Sequence, residues 1–239
     1  TVLLTFAEEL SRAILEKGQV YGIPANLFEE NCQIFLVPMV DPDGVDLVTG
    51  GIAQGSIQWE QARRLSDNYP SIPFPNGWKA NLLGVDLNLQ YPAGWLQARE
   101  IKFSQGYTRP GPRDYVGKAP LVQRESRALA DFTSYLDPAL ILAYHTQGEQ
   151  IYWKYDGIDV PGALALGQEF ARLSGYSLEE TPYASGFAGY KDWFIKVWRR
   201  PGFTIEAGLG ENPLPISQFD TIYAKNLGIL TTAALGLPA

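Results

Sequence analysis

Short apolar runs alternate with amphipathic helical segments through the second half of this 239-residue chain. The runs "PALILAYH" (138–145) and "GFTIEAG" (202–208) have the length and composition of buried strands. Segments 120–136, 160–175 and 219–235 carry apolar residues at helical spacing. Strands that alternate with helices predict an α/β layer fold with a largely parallel or mixed sheet. The chain has no internal repeat and no low-complexity linker, so we expect a single domain over residues 1–239.

The first half of the chain has fewer regular patterns. Residues 1–18 and 192–199 are predicted to form amphipathic helices. The run "CQIFLVPMV" (32–40) is predicted to be a buried strand that leads into a turn, and "GVDLNLQYP" (84–92) to be the end of another strand. Residues 41–82 are rich in Pro, Gly, Asn and Asp, which favours a long ordered loop with one short helix.

Composition excludes some classes of partner. The formal net charge is −7, which argues against a surface for nucleic acid or anionic membrane, because such surfaces need clustered Lys and Arg. The sequence contains neither a run of 18 apolar residues nor the pattern of a signal peptide. The one cysteine, Cys32, fits a reduced cytosol and equally a secreted bacterial protein without disulfides. Composition does not address the oligomeric state.

Several polar residues stand at or near the ends of the predicted strands. His145, the only histidine, ends one strand; Asp86 and Asn88 end another; Glu206 lies within "FTIEAG", and Lys79 precedes Asp86 in a loop. A buried carboxylate costs several kcal/mol unless it is paired, which makes Glu206 unusual. Taken one at a time, these residues are equally compatible with hydrogen-bonded structural roles, so His145 could be a core imidazole, a general base or a metal ligand.

The order of five segments is more specific than any one of them. "VPMVDPDGV", "WKANLLGVDLN", "ILAYHTQG", "YASGFAGYKDWF" and "FTIEAGLGENPLP" resemble, in the same order, segments of the zinc carboxypeptidase family. "GVDLNLQYPAGW" and "QGYTRPGPRDYVG" resemble its branch of bacterial γ-D-glutamyl-diamino-acid (γ-D-glutamyl-meso-diaminopimelate) peptidases. The resemblance covers nearly the whole chain and implies a three-layer α/β/α fold with a mixed, mostly parallel central sheet.

The resemblance also implies roles for individual residues. His145 matches a histidine ligand of the single zinc ion, and Glu206 matches the general base that acts on zinc-bound water. Lys79 stands where the family has a basic residue near the scissile carbonyl. Asn88 matches a residue that binds a substrate carboxylate. Tyr183 matches the tyrosine that closes over the substrate, with a shift of one residue in the loop after it.

The sequence departs from the family pattern in its metal ligands. The other two zinc ligands of the family lie in a His-x-x-Glu motif just before the first long helix, whereas this chain begins at that helix. We therefore expect the chain to be truncated at its N-terminus, with the first strands and two of the three ligands outside it. A degenerate, non-catalytic relative is the alternative, although Glu206 and Lys79 are both retained.

A second departure concerns substrate recognition. Carboxypeptidases have Arg directly after the Asn, where it clamps the terminal carboxylate of the substrate, whereas this chain has Leu89 followed by Gln90. Arg109 and Arg113 are candidates to bind substrate carboxylates instead, or are solvated loop charges. The predicted function is a zinc-dependent peptidase that hydrolyses γ-D-glutamyl–diaminopimelate bonds in peptidoglycan stem peptides. The alternatives are a zinc metallocarboxypeptidase of other peptide specificity and a non-catalytic cell-wall-binding relative.

Overall fold

A computed structural model describes residues 1–237. In these residues the helices are α1 Val2–Leu15, α2 Asn26–Asn31, α3 Pro42–Thr49, α4 Ile57–Ser66, α5 Trp95–Ser104, α6 Arg124–Leu136, α7 Ala163–Ser174, α8 Tyr190–Trp198 and α9 Phe219–Leu235. The strands are β1 Gln19–Val20, β2 Ile23–Pro24, β3 Ile141–His145, β4 Gln150–Tyr152, β5 Ser177–Glu179 and β6 Gly202–Glu206. Among the described residues, no helix has the length and apolar character needed to cross a membrane.

The four longer strands form one mixed sheet in the order β3-β6-β4-β5. β3 pairs with β6 in parallel, β4 pairs with β5 in parallel, and β4 runs antiparallel to β6. The prediction of a mixed, mostly parallel sheet is therefore confirmed. β1 and β2 form a separate short antiparallel pair.

Helices cover both faces of this sheet. Successive β6 side chains point to opposite faces, so the neighbours of each show which helix lies on that face. Phe203 packs edge-on against Phe170 of α7, with 4.9 Å between ring centroids. Its neighbour Gly202 lies against α8, where a Cβ atom would come 3.2 Å from Phe194. α7 on one face and α8 on the other make the three layers that the sequence predicts.

Helix α6 begins later than the sequence pattern indicates. The segment 120–136 was predicted to be helical throughout, but the helix starts at Arg124. The side-chain oxygen of Gln90 accepts hydrogen bonds from the backbone N–H groups of Val122 and Gln123. Leu121 has a φ of 54°, which is outside the helical region. Tertiary hydrogen bonds therefore hold the first residues of the segment outside the helix.

Two strand predictions in the first half of the chain are wrong. Residues 33–39 have no regular secondary structure, and Phe35 and Met39 are about half exposed. In residues 1–237 no strand pairs with this segment, so its apolar pattern produces neither a ladder nor burial. Residues Leu87–Leu89 form a 3-10 helix instead of a strand end, because the side chain of Asp86 accepts a hydrogen bond from the N–H of Asn88.

Candidate active site

His145 and Glu206 lie side by side at the carboxyl ends of β3 and β6. The two residues are partners in the parallel register, and the N–H of Ala207 donates to the carbonyl of His145 over 2.9 Å. Paired residues on neighbouring strands point to the same face of a sheet. The carboxyl ends of strands are also where α/β folds place their sites. The structure thus brings these two candidate residues together, and their roles stay predictions.

Lys79, whose charge acts on both residues of this pair, is held in place by its backbone and its side chain. The N–H groups of Lys79 and Ala80 both donate to the carbonyl of Pro112, over 2.7 and 2.9 Å. The Lys79 Nζ atom lies 3.5 Å from the carboxylate of Asp86. The Asp86 side chain is only 2% exposed and that of Lys79 46%, so the ammonium remains accessible from solvent.

Asp86 connects three parts of the site. One carboxylate oxygen accepts from the N–H of Asn88, and the other accepts from the N–H of Asp114, each over 3.2 Å. The second oxygen also faces Lys79. The sequence indicated Asp86 only as a polar residue at a predicted strand end; its contacts with the loop at 112–115 depend on tertiary structure.

The charges of this group act on one another. The negative charge of Asp86 raises the pKa of Lys79, which keeps the ammonium protonated. Burial raises the pKa of Glu206, and the positive charge of Lys79 partly offsets that increase. Burial, with a smaller contribution from the positive charge of Lys79, lowers the pKa of His145 to about 4. The imidazole is therefore neutral near pH 7, which is the form that binds metals.

The low pKa of His145 predicts a pH-dependent stability in zinc-free protein. An unfolded histidine binds a proton below its ordinary pKa of 6.5, whereas folded His145 stays neutral down to about 4. Between these values the unfolded state binds more protons, so stability should decline as the pH falls. Urea unfolding at several pH values should show a smaller decline in His145→Gln than in the original protein. Identical dependences of stability on pH in the two proteins would contradict the low pKa of His145 in the folded state.

Asn88 is fixed by its side-chain oxygen. That oxygen accepts a hydrogen bond from the N–H of Tyr190, at the start of α8, over 3.2 Å. An amide held by its oxygen presents its NH₂ group as a donor. The 3-10 helix and α8 therefore place Asn88 as a potential hydrogen-bond donor.

Tyr183 lies on a separate exposed turn. Tyr183 is 72% exposed and begins the 3-10 helix Tyr183–Ser185. Its ring contacts Phe187 edge-on at 5.2 Å between centroids. Among residues 1–237, no hydrogen bond joins Tyr183 to His145, Glu206 or Lys79. The role of Tyr183 as the residue that closes over the substrate stays a prediction.

The two arginine candidates differ in position. Arg113 directly follows Pro112, whose carbonyl binds the backbone of Lys79, and its Nε donates to Asp114 over 2.9 Å. Arg109 is exposed, and its backbone exchanges hydrogen bonds with the hydroxyl of Tyr69. Only Arg113 is thus anchored beside Lys79.

Leu89 and Gln90 both point away from the site. Leu89 is 7% exposed and belongs to the main hydrophobic core. Gln90 is fully buried, and its Nε2 donates to the carbonyls of Val116 and Ala119. Gln90 therefore does not take the place of the missing arginine, and Leu89 ends a 3-10 helix.

The described residues do not make a complete zinc site. Catalytic zinc usually has three protein ligands. In residues 1–237 no group of three or more His, Cys, Asp and Glu side chains is arranged to hold a metal ion. Among these residues His145 offers one imidazole.

Comparison with known proteins decides the family. The family model for zinc carboxypeptidases (peptidase M14) matches residues 22–227. The chain belongs to the zinc carboxypeptidase family. Members of this family use one zinc ion. The resemblance seen in the sequence is therefore confirmed.

Two curated relatives align with almost all of this zinc carboxypeptidase chain. γ-D-Glutamyl-L-diamino acid endopeptidase 1 of Lysinibacillus sphaericus is 44% identical over 228 residues, which are 95% of this chain and 55% of that protein. The protein YqgT of Bacillus subtilis (strain 168) is 38% identical over 234 residues, 98% of this chain and 60% of that protein. The chain thus spans little more than half the length of these relatives.

A solved structure supports the fold. Carboxypeptidase A from Helicoverpa armigera aligns with a TM-score of 0.53 and 19% identity, over 84% of this chain and 51% of that one. At this identity the likeness concerns the fold alone. It agrees with the α/β architecture with a mixed sheet.

Proposed function

We propose that the protein containing this chain is a zinc-dependent peptidase that hydrolyses the bond between a γ-D-glutamyl residue and a diamino acid, meso-diaminopimelate, in bacterial peptidoglycan stem peptides. Two findings support it: membership of the zinc carboxypeptidase family, and 44% identity to a γ-D-glutamyl-L-diamino acid endopeptidase. The observation that carries the proposal is the pairing of His145 with Glu206 beside the accessible ammonium of Lys79.

Glu206 is the proposed general base. Its burial raises the pKa of the carboxyl, which makes the carboxylate a better proton acceptor than an exposed one. It would take a proton from the attacking water and later return it to the leaving amine. In the family, zinc lowers the pKa of bound water to about 7.

Lys79 is the proposed stabiliser of the developing oxyanion. Asp86 and the carbonyl of Pro112 hold its side chain and backbone in place. A cation fixed in advance stabilises charge that develops in the transition state. Asn88, with its NH₂ group free to donate, would bind the substrate, and Tyr183 would close over it from its exposed turn.

The remaining zinc ligands are proposed to come from residues outside 1–239. The argument is the number of donors: His145 is one of three needed. In the described residues β3 pairs only with β6, so its other edge, next to His145, is open to a further strand. Residues 1–239 would then be part of one zinc peptidase domain.

The test compares two kinds of substrate with the full-length, zinc-loaded protein. We expect a high kcat/KM for a stem tetrapeptide with a γ-D-glutamyl–meso-diaminopimelate bond, and a low one for blocked dipeptides that end in Phe or Lys. The reason is that the arginine clamp for a terminal carboxylate is replaced by buried Leu89. Equal or better cleavage of the dipeptides would leave only a zinc peptidase of other specificity. Cleavage of neither would favour a non-catalytic cell-wall-binding relative.

A further inference from the structure

A buried carboxylate bridges two cations at the edge of the candidate active site. One oxygen of Asp114 lies 2.7 Å from the Nζ atom of Lys102, and the other lies 2.9 Å from the Nε atom of Arg113. The side chains of Lys102 and Asp114 are only 11% and 12% exposed, whereas that of Arg113 is 45% exposed. The inner pair is therefore fixed within the protein, and the arginine extends from it towards solvent.

The way in which Arg113 is held leaves its binding end available. The ion pair with Asp114 uses Nε, and the two terminal nitrogens make no ion pair among residues 1–237. A guanidinium presents its donors in a rigid fork that matches the two oxygens of a carboxylate. The Arg113 fork is thus oriented by one nitrogen while two others can bind an anion.

Lys102 prevents Asp114 from cancelling the charge of Arg113. Two cations share one carboxylate, so the trio keeps a net positive charge. Burial raises the pKa of Asp114, but the hydrogen bond and charge of Lys102 outweigh it and lower that pKa below its ordinary value. Asp114 is therefore ionised at neutral pH and holds both partners.

The backbone places this trio beside the reacting groups. The carbonyl of Pro112 accepts from the N–H of Lys79, and the N–H of Asp114 donates to Asp86, which also pairs with Lys79. Arg113 lies between these two anchored residues. The positive charge of Arg113 is close enough to offset part of the increase that Asp86 causes in the pKa of Lys79.

We propose that Arg113 binds a substrate carboxylate next to the scissile bond, and that Lys102 and Asp114 are positioning residues that aim its guanidinium. The proposal rests on the proposed peptidase function and names its specificity determinant. It assigns the role to Arg113 and not to Arg109, whose backbone is tied to Tyr69 and whose side chain has no such support among residues 1–237.

Two carboxylates of the proposed substrate have the required chemistry. One is the α-carboxylate of the γ-linked D-glutamate, and the other is the carboxylate at the far end of diaminopimelate. Four dipeptides, all with the L-centre carboxylate of the second residue blocked as an amide, separate them: γ-D-Glu-meso-diaminopimelate, the same compound with the α-carboxylate of glutamate amidated, γ-D-Glu-L-Lys, and γ-D-Glu-L-Lys with the α-carboxylate of glutamate amidated. The amide on glutamate removes the first carboxylate, and Lys removes the second.

The experiment measures kcat and KM for these dipeptides with the full-length protein and its variants. Losing charge-assisted hydrogen bonds to Arg113 should raise KM by about 10- to 100-fold in Arg113→Gln, only for dipeptides with the recognised carboxylate. The matched control Arg109→Gln should leave KM unchanged for all four dipeptides. Lys102→Met should raise KM in the same selective manner, and Lys102→Arg should restore it.

Binding gives a readout that does not depend on turnover. An uncleavable γ-D-Glu-meso-diaminopimelate analogue with a reduced bond should bind Arg113→Gln with a dissociation constant raised by the same factor as KM. Arg113→Lys keeps the charge without the fork, so its dissociation constant should lie between those of the original protein and Arg113→Gln. Thermal unfolding of each variant checks that the fold is retained.

The outcomes separate this inference from the function on which it rests. Failure of the original protein to cleave any dipeptide would remove the peptidase function, while the analogue would still test Arg113. Two results would overturn the role of Arg113: an unchanged carboxylate preference in Arg113→Gln, or a KM that rises by the same factor for all four dipeptides. If Arg113→Gln no longer distinguishes the free α-carboxylate of glutamate from its amide, Arg113 binds that α-carboxylate. If the variant no longer distinguishes diaminopimelate from Lys, Arg113 binds the carboxylate at the far end of diaminopimelate.

Discussion

Replacing Glu206 by Gln is expected to lower kcat by about 10²- to 10⁴-fold, the range that a positioned general base contributes. Gln keeps the shape of the side chain but cannot accept the proton of the attacking water. Glu206 ends β6, whose four preceding residues are buried, so backbone position and packing should change little. The measurement is kcat for a γ-D-glutamyl–diaminopimelate peptide with the full-length protein, together with its zinc content, which should stay the same.

The matched control is Glu8→Gln on α1. Glu8 is an exposed carboxylate that pairs with Arg12 one helical turn away, a contact worth little in water. It should retain normal turnover. If Glu206→Gln also keeps near-normal kcat with full zinc, Glu206 has a structural role and another group must act as the base. If zinc is lost, Glu206 instead contributes to the metal site.

Sequence patterns predict the part of the fold in which local and tertiary preferences agree. β3 and β6 are short apolar runs, α7 and α9 carry apolar residues at helical spacing, and all four are present. Parallel strands bring their carboxyl ends to the same edge of the sheet. His145 ends one of the two apolar runs and Glu206 lies within the other, and they become neighbours because β3 and β6 pair in parallel register.

Two misses occur where a capping side chain, and not the apolar pattern, sets the local structure. Helix α3 lies in a stretch predicted to be loop, although Asp41 caps it and Pro42 is its first residue, a signal that could have found it. The 3-10 helix at Leu87–Leu89 depends on the side chain of Asp86, which an apolar-polar alternation does not reveal.

The trio formed by Lys102, Asp114 and Arg113 shows the limit for site residues. Lys102 lies in the last turn of α5, and its partner is 12 residues further along the chain. No spacing rule connects a helical lysine with a loop aspartate. Arg113 could be proposed from its residue type alone, whereas its preference over Arg109 needs the contacts of Asp114 and Pro112.

Restoring the arginine of ordinary carboxypeptidases, as Leu89→Arg, is expected to reduce the free energy of unfolding by several kcal/mol. Leu89 is 7% exposed within the main hydrophobic core, whose other members include Tyr91 and Val116. A guanidinium there would lose its hydration without a carboxylate partner, which costs several kcal/mol per ion. Urea unfolding measures the loss, and Leu89→Met, a change of similar volume, should cost less than about 1.5 kcal/mol.

The same substitution should not create carboxypeptidase activity. Because Leu89 ends a 3-10 helix and its side chain is buried in the core, we expect an arginine at this position not to be presented to the substrate. Variant protein that remains folded should therefore cleave a blocked dipeptide ending in Phe no faster than the original. A stable Leu89→Arg variant with increased kcat/KM on that dipeptide would show that position 89 faces the substrate. In that case a single side chain, and not the direction of the backbone, would separate this chain from carboxypeptidases that clamp a terminal carboxylate.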